Sequence, residues 1–274
     1  MPEKKNLNIL FICVNYNTYD ELNNFLRSVE QAYNQLADDT KVSFLVIDNS
    51  TDYAEIVPNY SFKLIQEKTD DNLGYFGGFQ YGLKIVKDYI NKYDYIVVSN
   101  ADVTIDANFF CELKEVILEN NVGCIAPSIY SVLENKDRNP KIVKRITLKK
   151  LKILKVLYKF PFLNLLYEKL VYPIRRKNTQ KIKGGYVYAA HGSFMMFTKK
   201  SFDFLMGMEY PIFLFGEEIF VAENLMRNSL KTIYIPEIKV YDTEHASTSG
   251  LKKKSYYNYN YEAICMLIKE YFDE

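Results

Sequence analysis

Short apolar runs that stop abruptly at polar residues constrain this chain more than any other feature. Residues 9–14 (ILFICV), 42–47 (VSFLVI) and 95–98 (YIVV) are nearly unbroken in apolar character. A strand that is apolar on both faces belongs to a sheet covered on both sides by helices. Weaker strand signals occur at 62–66 and 123–126, and helical periodicity fills 19–36, 77–91 and 107–120. This alternation predicts βαβ units and an α/β fold with a Rossmann-like, mostly parallel central sheet. The apolar runs end in NYNTYD, DNSTD, DNLGYFGG and NAD. If the strands are parallel, these turns share the C-terminal rim of the sheet, the usual ligand-binding edge of open α/β sheets.

At 274 residues and 48% hydrophobic content, the chain is long enough for one large or two small domains. The four cysteines, at 13, 111, 124 and 265, show no metal-type or redox spacing. Reduced thiols in a cytosolic setting are the expectation. The N-terminal apolar run is too short for a signal peptide, and no run of about 18 apolar residues suggests a membrane span.

The net charge of +1 hides an asymmetry. Residues 136–183 hold 16 Lys and Arg against two acids, a local balance of +14 that leaves the remainder at −13. On a helical wheel Arg145, Lys149, Lys152, Lys155 and Lys159 fall on one side. Val143, Ile146, Ile153, Leu154, Leu157 and Phe160 fall on the other, until Pro161. A basic amphipathic helix of this kind suits the surface of an anionic membrane, and residues 141–183 are the expected contact. The ordinary alternative is a solvated face over a core. Nucleic acid is not an expected partner, because the aromatics of the segment alternate with aliphatics and form no stacking platform. The expected organisation is therefore 1–130 as a nucleotide-binding half, 131–183 as a basic insert and 184–274 as a second half of the same domain.

Four places carry candidate chemistry. Asn100 and Asp102 follow the strand at 95–98, where a carboxylate holds a divalent cation or, alternatively, only turns the chain. Glu217 and Glu218 open a helix between apolar flanks, where dipole and burial compete over their protonation. His245 sits in the polar loop DTEHASTSG as a possible ligand. His191, Gly192 and Ser193 form a weaker acceptor-side candidate.

Read in order, VNYN, VIDNS, NLGYFGGFQYGL, SNADV, HGSFMMF, FLFGEE and EHASTSG resemble a family 2 glycosyltransferase of the GT-A fold, of the bacterial rhamnosyltransferase-like sort, over residues 8–262 apart from the insert. The resemblance implies that Asn15, Asn17 and Asp48 cradle the nucleotide base. It places Asn72, Gly74, Gly77 and Gly78 against the nucleoside, and Asn100 and Asp102 at the DxD position. It makes Asp102 and His245 the contacts to Mg2+ or Mn2+, and Glu217 and Glu218 the acidic pair that contains the base. Two positions depart from the usual pattern: Asn100 replaces the first Asp of DxD, and Glu218 replaces an Asp. The implied activity is inverting sugar transfer from a UDP- or dTDP-sugar to a lipid-linked saccharide acceptor in surface polysaccharide synthesis. The implied location is peripheral, on the cytoplasmic face of the cell membrane. Rival readings are a nucleotidyltransferase, which would need a basic glycine-rich loop that VNYNTYD lacks, and a non-catalytic carbohydrate-binding scaffold.

Overall fold

The computed structural model describes residues 6–36, 39–170, 182–242 and 252–272. Strand β1 (Asn8–Asn15) pairs in parallel with β2 (Lys41–Asp48) and with β4 (Tyr95–Asn100), and β2 pairs in parallel with β3 (Lys63–Lys68). Strands β1, β2 and β4 are buried on both faces, as their nearly unbroken apolar runs require, whereas β3 at the sheet edge is only partly buried. Helix α1 (Tyr19–Tyr33) buries Leu22, Phe25, Leu26, Val29 and Ala32 against one face, where Phe11, Phe25 and Phe44 make stacked and edge-on ring contacts. Helix α2 (Tyr75–Val86) covers the other face. It lies close because Gly78 and Gly82 have no Cβ: one at 78 would stand 2.9 Å from Val14 Cγ1, and one at 82 would stand 2.6 Å from Ile12 Cγ2.

Beyond β4 the sheet becomes mixed. The order is β3-β2-β1-β4-β9-β6-β10-β5, with β5 (Val103–Ile105), β6 (Val122–Ser131), β9 (Phe194–Thr198) and β10 (Lys231–Asp242). Short strands β7 (Lys136–Asp137) and β8 (Gly185–Val187) pair with β6 and β10. Strand β9 runs antiparallel to both β4 and β6, whereas β6 and β10 are parallel to each other. A single sheet thus joins strands from both ends of the chain. The central α/β sheet flanked by helices is the architecture expected from the sequence.

Several local expectations need correction. Residues 107–120 form only the short helix α3 (Phe109–Glu115), since Val116 leaves helical geometry at φ −72, ψ 123 and begins a β-branched pair with Ile117 that is stiff at χ1. The helix expected to reach 91 tightens after Val86 into a 3-10 turn over Lys87–Lys92. Strand β10 is continuous but interrupted by a register shift between Ile235 and Lys239 beside Pro236. Most importantly, Val143, Arg145 and Ile146 precede the basic helix rather than belonging to it. Helix α4 spans Leu148–Lys159, capped by Thr147, whose side chain accepts from the Lys150 N–H; α5 (Pro161–Leu170) follows with Pro at its first position. Three further helices, α6 (Phe202–Gly207), α7 (Glu217–Arg227) and α8 (Lys253–Leu267), complete the description, the last continuing as a π turn over Ile268–Phe272. All four cysteines are free thiols.

Candidate active site

Because β1, β2, β3 and β4 are parallel, the turns that follow them meet at one rim. The loops after β1 and β2 are stitched together there. Asp48, fully buried, accepts from Asn15 Nδ2 (3.2 Å), Ser50 N–H (3.1 Å), Tyr19 O–H (2.8 Å) and Gln66 Nε2 (2.6 Å). Asn15 is also fully buried, and its Oδ1 accepts from the Thr18 hydroxyl at 2.8 Å. Asn17 stands above them in left-handed geometry (φ 55), its Nδ2 donating to Thr51 Oγ1 at 3.0 Å. Asn15 and Asp48 therefore form the buried frame of this part of the rim, and Asn17 and Thr51 its exposed surface. Asn49, which the sequence reading passed over, donates from Nδ2 to the Gly74 carbonyl (3.1 Å) and ties this frame to the turn before α2.

That turn depends on Gly74. Asn72 Oδ1 accepts from the Gly74 N–H at 2.9 Å, and Gly74 has φ +73. A Cβ there would lie 2.0 Å from the Phe213 carbonyl oxygen. Gly77 and Gly78 lie one turn further on, inside α2, with Gly78 packed on β1.

Asn100 ends β4, and its N–H donates to the Ser193 carbonyl at 3.0 Å. Asp102 follows, 5% exposed. The reversal of β9 explains the link to Ser193: an antiparallel strand starts where its parallel neighbour ends, so His191, Gly192 and Ser193 reach the rim that carries Asn100. Ser193 N–H donates to His191 Nδ1 (3.2 Å), which puts the ring proton of a neutral His191 on Nε2. Burial, with Lys141, Arg138 and Lys136 adding to it, pushes the imidazolium form of His191 well down.

The carboxylates close the site. Gly216, left-handed at φ +86, starts α7, and a Cβ there would press on the Tyr210 hydroxyl at 2.8 Å and Ala263 Cβ at 2.9 Å. Helix α7 then presents Glu217 and Glu218 to the backbone of Gly192, where an added Cβ would lie 2.6 Å from Glu217 Oε1 and 3.4 Å from Glu218 Oε1. The Tyr75 hydroxyl, from the first residue of α2, donates to the Gly192 carbonyl. Burial first, and the Glu218 charge second, raise the Glu217 carboxyl to about 8. Lys141, which lies before the basic helix, reaches Glu218 Oε1 at 3.4 Å. Burial and the neighbouring charge thus favour the protonated form of Glu217, beside a Glu218 that faces a cation.

Other partners from the insert were not legible in advance. Arg145 makes a two-point contact with buried Glu223 of α7 (Nε–Oε1 and Nη2–Oε2, both 2.8 Å), and the Tyr188 hydroxyl donates to the same carboxylate at 2.6 Å. Asn139 Oδ1 accepts the His191 N–H at 2.8 Å. The sequence reading assigned these cations to an outward face; the only advance signal for Glu223 was an acid set among apolar residues of α7. His245 lies outside the described residues.

Against known proteins, the model of glycosyl transferase family 2 matches residues 12–205, well over half of the chain and all of the rim as far as Ser193. The chain belongs to this family. No curated protein sequence matches this family 2 member significantly. Its fold is that of GT-A glycosyltransferases. GalNAc-T7, crystallised with UDP, GalNAc and Mn2+, superposes with a TM-score of 0.64 at 12% identity, over 99% of this chain and 49% of that one. S. aureus TarS 1–349 in complex with UDP-GlcNAc gives 0.59 at 14% identity, over 98% and 68%. The Pyrobaculum calidifontis mannosyltransferase PcManGT with GDP-Man and Mn2+ gives 0.52 at 13% identity, over 89% and 59%. This family 2 chain spans about half the length of GalNAc-T7.

Proposed function

We propose that this family 2 glycosyltransferase is a metal-dependent inverting enzyme that takes its sugar from a UDP- or dTDP-linked donor. The observation that carries the reading is the meeting of Asn100 with Ser193 and of Gly192 with Glu217 and Glu218. It sets the rim that would bind the donor next to a pair of carboxylates suited to activate an acceptor. The pocket framed by Asn15 and Asp48, with Asn17 at its surface, would take the base; the turn at Asn72 and Gly74 would lie along the nucleoside. The donor set at the rim is oxygen, from Asp102 and Asn100, and such ligands fit Mg2+ or Mn2+. Among the described residues no three His, Cys, Asp or Glu side chains gather to enclose an ion. Asp102 would accordingly anchor an ion that takes most of its ligands from diphosphate and water. When bound, such an ion neutralises charge developing on the leaving diphosphate.

Glu218 is the general base in this reading. Glu217 keeps its proton at neutral pH, whereas Glu218 faces Lys141 and is available to accept the proton of an acceptor hydroxyl. The oxygen attacks the anomeric carbon on the face opposite the diphosphate, the bond to the diphosphate breaks, and one displacement inverts the configuration. His191 and Ser193 would orient the acceptor. The order of the motifs supports a lipid-linked saccharide as that acceptor, in synthesis of a bacterial surface polysaccharide at the inner membrane face.

A thermal-shift screen of nucleoside diphosphate sugars, with and without Mn2+, tests the donor and the metal together, since a ligand of the native state raises Tm with its concentration. A UDP- or dTDP-sugar that stabilises the native chain only with Mn2+, and fails with Asp102→Ala, is the expected result. Stabilisation by no nucleotide sugar would overturn the assignment.

A further inference from the structure

Helix α4 has two apolar sides, and the fold uses only one. Leu151 and Leu157 are buried with Leu154 and Tyr158 alongside, and the Tyr158 ring meets Tyr256 and Tyr257 of α8. From α5, Asn164 Nδ2 donates to the Tyr257 hydroxyl at 3.2 Å. These contacts fix the two helices to the body. Their outer side carries a second stripe: Ile153, Val156 and Phe160, spaced i, i+3, i+7, are 46%, 47% and 51% exposed. Phe162, Leu163 and Leu165 continue it past Pro161, with Phe162 69% exposed. Single exposed apolar residues are ordinary, but a continuous stripe on a rigid pair of helices marks a contact surface.

The charge around the stripe identifies its occupant. Helices α4 and α5 carry six lysines and one acid in sequence. Lys149 and Lys152 share a shallow groove of about 560 Å³ with Ile153 and Val156. No ion pair engages Lys149, Lys152, Lys155 or Lys159 among the described residues. A second copy of the chain would bring like charges together across a twofold axis. Lysines bordering exposed aliphatic and phenyl groups instead match an anionic bilayer, whose phosphates meet the ammonium groups while its acyl boundary takes the apolar stripe.

We propose that the outer face of α4 and α5 is a docking surface for anionic lipid, on which the protein lies in the membrane plane. Among the described residues no helix is long and apolar enough to cross a bilayer, so contact here is with the surface. The proposal stands on this face alone and does not require the donor assignment to be correct.

Flotation of the full chain with phosphatidylcholine vesicles, with and without phosphatidylglycerol, tests it. Binding is expected to anionic vesicles at low salt, to weaken as salt rises, and to fall roughly five-fold for each of Lys149→Gln, Lys152→Gln and Lys159→Gln. Ile153→Ser with Phe162→Ser should also reduce binding while leaving Tm and any nucleotide-sugar thermal shift unchanged, because both side chains are exposed. No binding to anionic vesicles at low salt would overturn the proposal. So would equal binding to neutral vesicles, insensitivity to all these variants, binding of RNA in place of vesicles, or a solution dimer that the apolar variant dissociates.

Discussion

Gly192→Ala separates the fold of this family 2 chain from the chemistry proposed for it. An alanine Cβ at that position would stand 2.6 Å from Glu217 Oε1, whereas ordinary contact begins near 3.4 Å. The Glu217 carboxyl must retreat by about 0.8 Å beside Glu218, the proposed base, and a displacement of about 1 Å in the surroundings of the reacting groups can cost about a hundred-fold in rate. A ten- to hundred-fold loss of kcat is expected, or about 1.4–2.8 kcal/mol of barrier. Stability should barely change, because the obstructing atom is the far end of a flexible side chain; a cost below about 0.5 kcal/mol moves Tm by no more than about 2 °C in a domain of this size. The assay is nucleoside diphosphate release under saturating donor, with donor affinity measured separately. Unchanged donor affinity, unchanged Tm and a depressed kcat are predicted. A kcat within two-fold of the native value would refute the placement of reacting groups at Gly192, and parallel loss of donor affinity would show that the glycine serves the donor pocket instead.

Three more outcomes follow from the geometry. Glu218→Gln should lower kcat by about 10²–10⁴-fold with donor binding retained; retention of the native rate would transfer the role of base to Glu217. Since the Glu217 carboxyl is raised from 4.5 to about 8, its contribution to stability is complete below about pH 4.5 and is lost as pH rises through about 8. Tm measured from pH 5 to 9 should therefore fall less steeply for Glu217→Gln than for the native chain, and identical slopes would contradict the raised value. Arg145→Met strands the buried Glu223 carboxylate, which should cost about 3 kcal/mol and lower Tm by roughly 6 °C. The double variant with Glu223→Leu should recover most of that loss, and a single variant melting within 1 °C of native would show that water reaches Glu223 well enough to replace the guanidinium.

The parallel half of the sheet was legible because burial on both faces writes itself as an unbroken apolar run, and the polar residue closing each run marks the rim. Strand direction is not written in this way. The FMMFT of β9 is as apolar as the YIVV of β4 beside it, yet it runs antiparallel, and that reversal is what carries His191, Gly192 and Ser193 to the rim of Asn100. The glutamate pair was visible as adjacent acids between apolar flanks after a glycine, and the left-handed geometry of Gly216 accounts for the glycine. Tyr75, Asn49 and Lys141 carried no comparable mark. Their partners are Gly192, Gly74 and Glu218, which lie 117, 25 and 77 positions away in sequence, and no local pattern records such pairings.

The basic insert shows why a net charge summed along sequence misleads about surfaces. Its +14 looks like one patch, but the fold divides it. Arg138 is drawn onto Asp242 at 2.6 Å, Lys141 onto Glu218 and Arg145 onto Glu223, so three of the cations that precede α4 reach acids of β10 and α7. Lys144 stands outside as well, but from Lys149 onward the exposed lysines lie beside Ile153, Val156 and Phe160. The division coincides with the start of α4 at Leu148, where Thr147 caps the helix and the chain turns from a strap across the carboxylates into an exposed amphipathic surface. Neutralising Arg138, Lys141 and Arg145 should therefore act on the carboxylates they pair with and on stability, and neutralising the lysines of α4 should leave both untouched.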